Sequence, residues 1–177
     1  MKRISTADGH IFGLCRFPIG WLGLVAGREG LAAVVSHPSE EGVRGRIAEG
    51  YPEAAPGENA LLTGAQLQLE EYFRGERRDF DLPLELPGIP PFSAAVLRQL
   101  VGVPYGTTVT YGELAAAVGS PGAARAVGRA MATNPLPLVI PCHRVVGTGG
   151  KMTGYSGGEG IATKAWLLEH ERQHLQG

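Results

Sequence analysis

Residues 110–132 read TYGELAAAVGSPGAARAVGRAMA, and the fold of the rear half turns on them. Thr110 and Glu113 have the spacing of a capping box, in which the threonine side chain accepts from the third helical N–H and the glutamate reaches back to the cap. A helix over LAAAVG should follow and stop at Gly119. Ser120-Pro121 then predicts the start of a second helix, a capping hydroxyl followed by proline at the first helical position. That helix, GAARAVGRAMA, should end near Thr133-Asn134-Pro135. Two short helices joined by a tight, glycine-containing turn have the form of a helix-turn-helix unit. The second helix is nearly bare. Ala123, Ala124 and Gly128 let another backbone come close, while Arg125 and Arg129 project one turn apart. Small residues on a helix more often serve packing, but two arginines on such a surface suit a phosphate backbone.

Upstream, SAAVLRQLVGV (93–103) predicts an amphipathic helix with Ser93 as its cap. Before it, RRDFDLPLELPGIPPF (77–92) carries Pro83, Pro87, Pro90 and Pro91 and must be extended. It divides the chain into expected domains 1–86 and 87–177. In the front domain, residues 11–35 read as strands with a hairpin around Gly27–Gly30. Residues 43–49 suggest a short helix. Residues 60–73 place Leu61, Leu62, Ala65, Leu69, Tyr72 and Phe73 at helical spacing, with Gly75 as the stop. The expected class is α/β (α+β): a small strand-rich front and a mostly helical rear.

The 177 residues are 44% hydrophobic and 19% charged, enough apolar matter for a packed core and too little charge for a disordered chain. No apolar run would span a bilayer, and no basic start precedes an apolar signal segment, so we expect a cytoplasmic protein without membrane contact. The net charge of −1 conceals an asymmetry. Residues 1–86 hold nine Lys+Arg against 13 Asp+Glu; residues 87–177 hold seven against four. A basic rear is the half suited to a polyanion.

Of the two cysteines, Cys15 and Cys142, the second stands in LVIPCHRVVGTGG (138–150). A thiol attacks as thiolate, so it needs a base or a positive neighbourhood. His143 can be that base. Adjacent residues point apart, so a water would link the two side chains. A histidine base needs a carboxylate to set its tautomer. The rear half offers Glu113, already engaged in the capping box, and Glu159, Glu169 and Glu171. In ATKAWLLEHERQHL, Glu169 and Glu171 fall on different helix faces, and either could point inward. A zinc site is disfavoured: there is no CxxC, and the His170/His174 pair stands near the chain's end.

Pro-Cys-His-Arg-Val after Asn-Pro and an apolar run resembles the active-site motif of the O6-alkylguanine-DNA alkyltransferases (methylated-DNA–protein-cysteine methyltransferases). The resemblance runs over most of 92–171, through TYGELAAAVGSPGAARAVGRAMATNPLPLVIPCHRVVGTGGKMTGYSGG and ATKAWLLEHE. It implies a ribonuclease-H-like front domain and a rear domain that binds DNA and accepts the alkyl group. It implies that Cys142 is the acceptor, His143 its water-linked base and Glu171 the carboxylate behind it. Tyr111, with Thr110 beside it, stands where the family has a tyrosine that assists departure of guanine and rotates the target phosphate. Arg125 resembles the arginine that fills the gap of a flipped nucleotide, with Ala123, Ala124, Gly128 and Arg129 on the DNA-facing helix. Asn134 resembles the residue that braces the turn beside the cysteine. Met131, Pro137, the carbonyl of Val145 and Tyr155-Ser156-Gly157 resemble the pocket walls.

The implied activity is DNA repair by direct reversal: a single-turnover, irreversible transfer of alkyl to Cys142. The implied partner is double-stranded DNA bearing O6-alkylguanine, with O4-alkylthymine as a second candidate base. No cofactor and no metal are implied, and we expect a monomer, with clustering on DNA left open. Two rivals are a thiol hydrolase and a non-catalytic alkylguanine-binding protein. A third, a transcriptional regulator, would want polar base-reading side chains on its recognition helix.

Overall fold

The computed structural model describes residues 9–175. The expected reading of the N-terminus falls on residues 1–8, outside that range. The chain forms two compact units that divide after Gly88.

In the first unit, β1 (Ile11–Phe17), β2 (Gly20–Ala26) and β3 (Leu31–His37) form an antiparallel meander, and the short β4 (Ala55–Pro56) adds parallel to β1. The sheet order is β3-β2-β1-β4. Helix α1 (Glu40–Gly50) and helix α2 (Ala60–Phe73) cover opposite faces. The sequence explains how. Leu14 pairs with Gly23 and so shares its face. A Cβ on Gly23 would stand 2.6 Å from both Val43 and Ile47 of α1, so the missing side chain is the seat of that helix. Gly13 pairs with Leu24 on the other face, under Leu62 of α2. With both faces covered, β2 is GWLGLVA, apolar throughout rather than alternating. The hairpin closes where the Gly27 N–H donates to the Gly30 carbonyl. Helix α1 is longer than the sequence suggests because the Ser39 side chain caps it by accepting from the Gly42 N–H. The proline-rich stretch is extended as expected, yet part of it is bound: Leu84 bridges Leu31 beside β3.

The second unit holds α3 (Pro91–Val101), α4 (Tyr111–Ala117), α5 (Ala124–Ala132) and α6 (Ile161–Gln173). A two-stranded parallel ladder, β5 (Val109–Thr110) with β6 (Val145–Val146), ties the start of α4 to the segment after Cys142. The capping box is formed: Glu113 N–H donates to Thr110 Oγ1 at 3.1 Å, and Thr110 N–H to Glu113 Oε2 at 2.8 Å.

Two expected helix starts are corrected. Helix α3 begins at Pro91, whose ring presets the helical φ, so Ser93 lies inside the first turn and caps nothing. Ser120-Pro121 does not open α5. Residues 120–123 make a turn closed by the Ala123 N–H on the Ser120 carbonyl, with Gly122 at φ +88°. Proline second and positive-φ glycine third are the signature of a type II turn, a conformation a right-handed helix cannot contain. Helix α5 therefore starts at Ala124.

The two readings of this turn predict opposite signs for Gly122→Ala. Inside a helix the change would stabilise by about 1 kcal/mol. At φ +88° with open space around it, it should destabilise by about 1 kcal/mol. A denaturant midpoint below the wild type's is expected; a higher one would return residue 122 to a helix.

Candidate active site

The segment Asn134–Pro141 carries the apolar run to Cys142, and it is held in a shape it would not adopt alone. Leu138 has φ +74°, the one positive value at a non-glycine among the described residues. Such strain persists only where the surroundings impose it. Here Asn134 imposes it: its Nδ2 donates to the Ile140 carbonyl at 2.9 Å, and its Oδ1 accepts from the Leu136 N–H at 3.0 Å. Cys142, His143 and Arg144 then form one 3-10 turn that leads into β6.

Behind that turn lies a fully buried cluster. His143 Nε2 donates to Glu171 Oε1 at 2.7 Å. Arg144 donates to both Glu171 oxygens, Nε at 3.2 and 3.0 Å and Nη2 at 3.0 Å. The Gly106 N–H donates to Oε2 at 2.9 Å. Arg144 also donates to the Val103 carbonyl at 2.7 Å and lies over the Tyr105 ring. Burial alone would raise the Glu171 carboxyl, but the hydrogen bonds and charges of His143 and Arg144 outweigh it and lower the pKa to about 2. Burial lowers His143 despite Glu171, so the ring is neutral at physiological pH. With Glu171 ionised, the network assigns the ring proton to Nε2. Nδ1 is left unprotonated, buried and without a protein partner among the described residues.

Cys142 lines a cavity of about 640 Å³, a size that suits a small planar ligand. Burial raises its thiol above the ordinary value; Asn134 and the Lys164 charge pull it back only in part. The resting group is a thiol, not a thiolate, and the sulfur would have to lose that proton before it could act as a nucleophile. The cavity also meets Thr110, Tyr111, Ala124, Arg125, Gly128, Met131, Tyr155 and Ser156, each singled out from sequence. Arg125 is exposed and Tyr111 half-buried. Ala123, Arg129, Pro137, Val145 and Gly157 are not among its walls. The Val145 carbonyl is taken by the Lys164 ammonium. Glu169 is half-buried and bound to Arg172 and Gln173, on the opposite side of α6 from the fully buried Glu171.

Three contributors escaped sequence reasoning. Arg144 stands in the Pro-Cys-His-Arg-Val motif, but nothing in the motif gives its role. Thr153 lines the cavity and donates to the Tyr111 hydroxyl at 3.2 Å. Lys164 is buried and donates to the carbonyls of Val145 and Thr153. A usable signal existed for the lysine: 164, 167 and 171 lie on one helical stripe, and a charge beside Leu167 on a buried stripe needs partners. No group of three or more His, Cys, Asp or Glu side chains able to hold a metal occurs among the described residues.

A carboxyl lowered on folding adds stability above its ordinary pKa and loses it as pH falls through the folded value. Glu171→Gln, which strands the Arg144 charge, should cost roughly 3–5 kcal/mol at neutral pH. The gap to wild type should close as pH drops from about 5 towards 2. A gap constant across that range would mean that Glu171 is not ionised in the fold.

Two family models match the chain. The 6-O-methylguanine DNA methyltransferase ribonuclease-like domain matches residues 11–86, and the DNA-binding domain of the same family matches residues 91–173. A methylated-DNA–protein-cysteine methyltransferase of Mycolicibacterium paratuberculosis is 51% identical over 113 residues, 64% of this chain and 67% of that protein. One from Methanosarcina acetivorans is 39% identical over 154 residues, 87% of this chain and 93% of that protein. Among solved structures, Mycobacterium tuberculosis OGT in complex with DNA superposes with a TM-score of 0.77 at 40% identity, over 93% of this chain and 94% of that one. With both halves matched and one relative aligned along nearly its whole length, the chain belongs to the 6-O-methylguanine DNA methyltransferase family.

Proposed function

We propose that this protein repairs duplex DNA by transferring an alkyl group from O6 of guanine to Cys142, once per chain. The observation that carries the proposal is the position of Cys142: in the wall of a cavity large enough for a base, with Tyr111 and Arg125 also among its walls and the neutral His143 next to it in one turn. A base inside a duplex is out of reach, so it has to be flipped into that cavity. Ala124 and Gly128 leave α5 bare enough for close approach to a minor groove, and Arg125 fills the gap the base leaves. Arg129, exposed and outside the cavity, is suited to phosphate.

The chemistry is an in-line displacement. His143 Nδ1 takes the thiol proton through a water, and Glu171 holds the imidazolium that forms. The sulfur attacks the alkyl carbon, an S–C bond forms and the C–O6 bond breaks. The electron pair goes to guanine, which takes a proton from Tyr111. The thioether product has no leaving group of use to water and no second thiol at the site, so the protein is consumed. All of these groups belong to the unit after Gly88, so a monomer suffices. No helix among the described residues is long and apolar enough to cross a membrane. Both cysteines are free, which suits the reducing cytosol.

Intact mass after incubation with duplex DNA bearing one O6-methylguanine should rise by one methyl group and stop there, and Cys142→Ala should gain nothing. Tight lesion binding without gain would make this a flagging protein; turnover without a stable adduct would make it a hydrolase. Arg125→Ala should slow repair of the duplex roughly tenfold or more while sparing a free alkylated base, since the finger acts only on the stack. Equal slowing of both would remove the finger role. Affinity for undamaged duplex should fall steeply with salt; a flat response would take the phosphate contacts away from α5.

A further inference from the structure

The geometry points to Thr153 as a positioning residue that aims the Tyr111 proton at the flipped base and stabilises the oxygen that loses it. The inference rests on the alkyl-transfer reading and goes beyond it, because no part of the proton relay behind Cys142 involves Thr153.

Thr153 Oγ1 donates to Tyr111 Oη at 3.2 Å, and neither hydroxyl has another partner among the described residues. A phenol oxygen that accepts from a neighbour has its own proton free to point elsewhere. Both residues line the same cavity as Cys142, so that proton is available to a base inside it. The two ends of this hydrogen bond are fixed independently. Tyr111 opens α4 directly after its cap Thr110, which is paired with Val146 of β6. The Thr153 carbonyl accepts from the buried Lys164 Nζ at 2.9 Å, and the same ammonium holds the Val145 carbonyl. Lys164 thus ties the Thr153 segment to β6, the strand that follows the Cys142 turn, with Nζ 5.9 Å from the centre of the Tyr111 ring.

The step balances as follows. As the C–O6 bond breaks, the electron pair enters the guanine ring and the Tyr111 O–H proton moves to guanine. Tyr111 becomes a phenolate, which later recovers a proton from solvent. The proton taken from Cys142 stays with His143 until it too is released. A hydrogen bond donated to an oxygen strengthens as that oxygen gains charge, so the Thr153 contact is worth more in the transition state than in the resting site. Held in place beforehand, it needs no reorganisation during reaction.

The test is single-turnover transfer from duplex DNA bearing O6-methylguanine, with full-length protein in excess. Thr153→Val keeps the shape and removes the donor; Thr153→Ser keeps the donor. Thr153→Val should lower the limiting rate about tenfold, the size of one charge-assisted hydrogen bond, with duplex affinity changed by no more than about twofold. Thr153→Ser should recover to within roughly threefold of wild type. In a Tyr111→Phe background, Thr153→Val should add no further loss, because the two act as one unit. A wild-type rate in Thr153→Val, equal losses in Val and Ser, or full additivity with Tyr111→Phe would each overturn the positioning role. No transfer by the wild type would overturn the alkyl-transfer reading and this inference with it.

Discussion

A carboxylate buried without partners would be protonated or would unfold its surroundings, and the pairing of Glu171 is the constraint on which the rear unit depends. Its two oxygens take the Gly106 N–H, the His143 ring and the Arg144 fork. These donors come from the turn after α3 and the turn after Pro141, while the carboxylate comes from α6. One charge therefore holds three segments that are remote in sequence. Its energetic value is easily overstated, since taking the ions out of water offsets much of the attraction. What the cluster supplies is direction. With every Glu171 lone pair engaged, His143 has one available tautomer, and its free nitrogen is the one not facing Glu171.

The site separates protons by burial. Glu171 is held well below the usual carboxylate range, His143 is kept neutral, and Cys142 is kept protonated. A permanent thiolate would be exposed to oxidation and to any passing electrophile. A buried, protonated thiol is shielded from both. Lys164 is the counterweight. Its ammonium moderates the thiol and also holds two carbonyls, that of Val145 in β6 and that of Thr153 in the cavity wall.

Much of this was legible in the chain, and for identifiable reasons. The capping box, the hairpin at Gly27–Gly30, α2 and the extended proline stretch were readable because each rests on local chemistry: a side chain meeting its own backbone, a ring without an N–H, a period of 3.6. The misreadings were local too. Ser120-Pro121 fits both a helix start and a type II turn, and only the positive φ of Gly122 separates them. Ser93 is a good cap in isolation, but Pro91 already satisfies the first turn. The contacts of Thr153 and Lys164 were invisible for another reason, although the helical stripe 164, 167 and 171 does mark the lysine itself as buried. Their partners, Tyr111 and the Val145 carbonyl, lie 42 and 19 residues away, and no periodicity connects them.

By itself the sequence determined the kinds of element, the division near the proline stretch, the bare arginine-bearing helix and a cysteine set between proline and histidine. Those follow from interactions within a few residues, where chain geometry alone decides who meets whom. The tertiary structure decided that Glu171, not Glu169, turns inward, that Arg144 is its lock, and that Tyr111 accepts from Thr153. Each of these is a contest for burial among chemically equivalent side chains. Such contests are settled only when helices and turns remote in sequence pack together, because desolvation and pairing depend on the whole surrounding shell and not on neighbours along the chain.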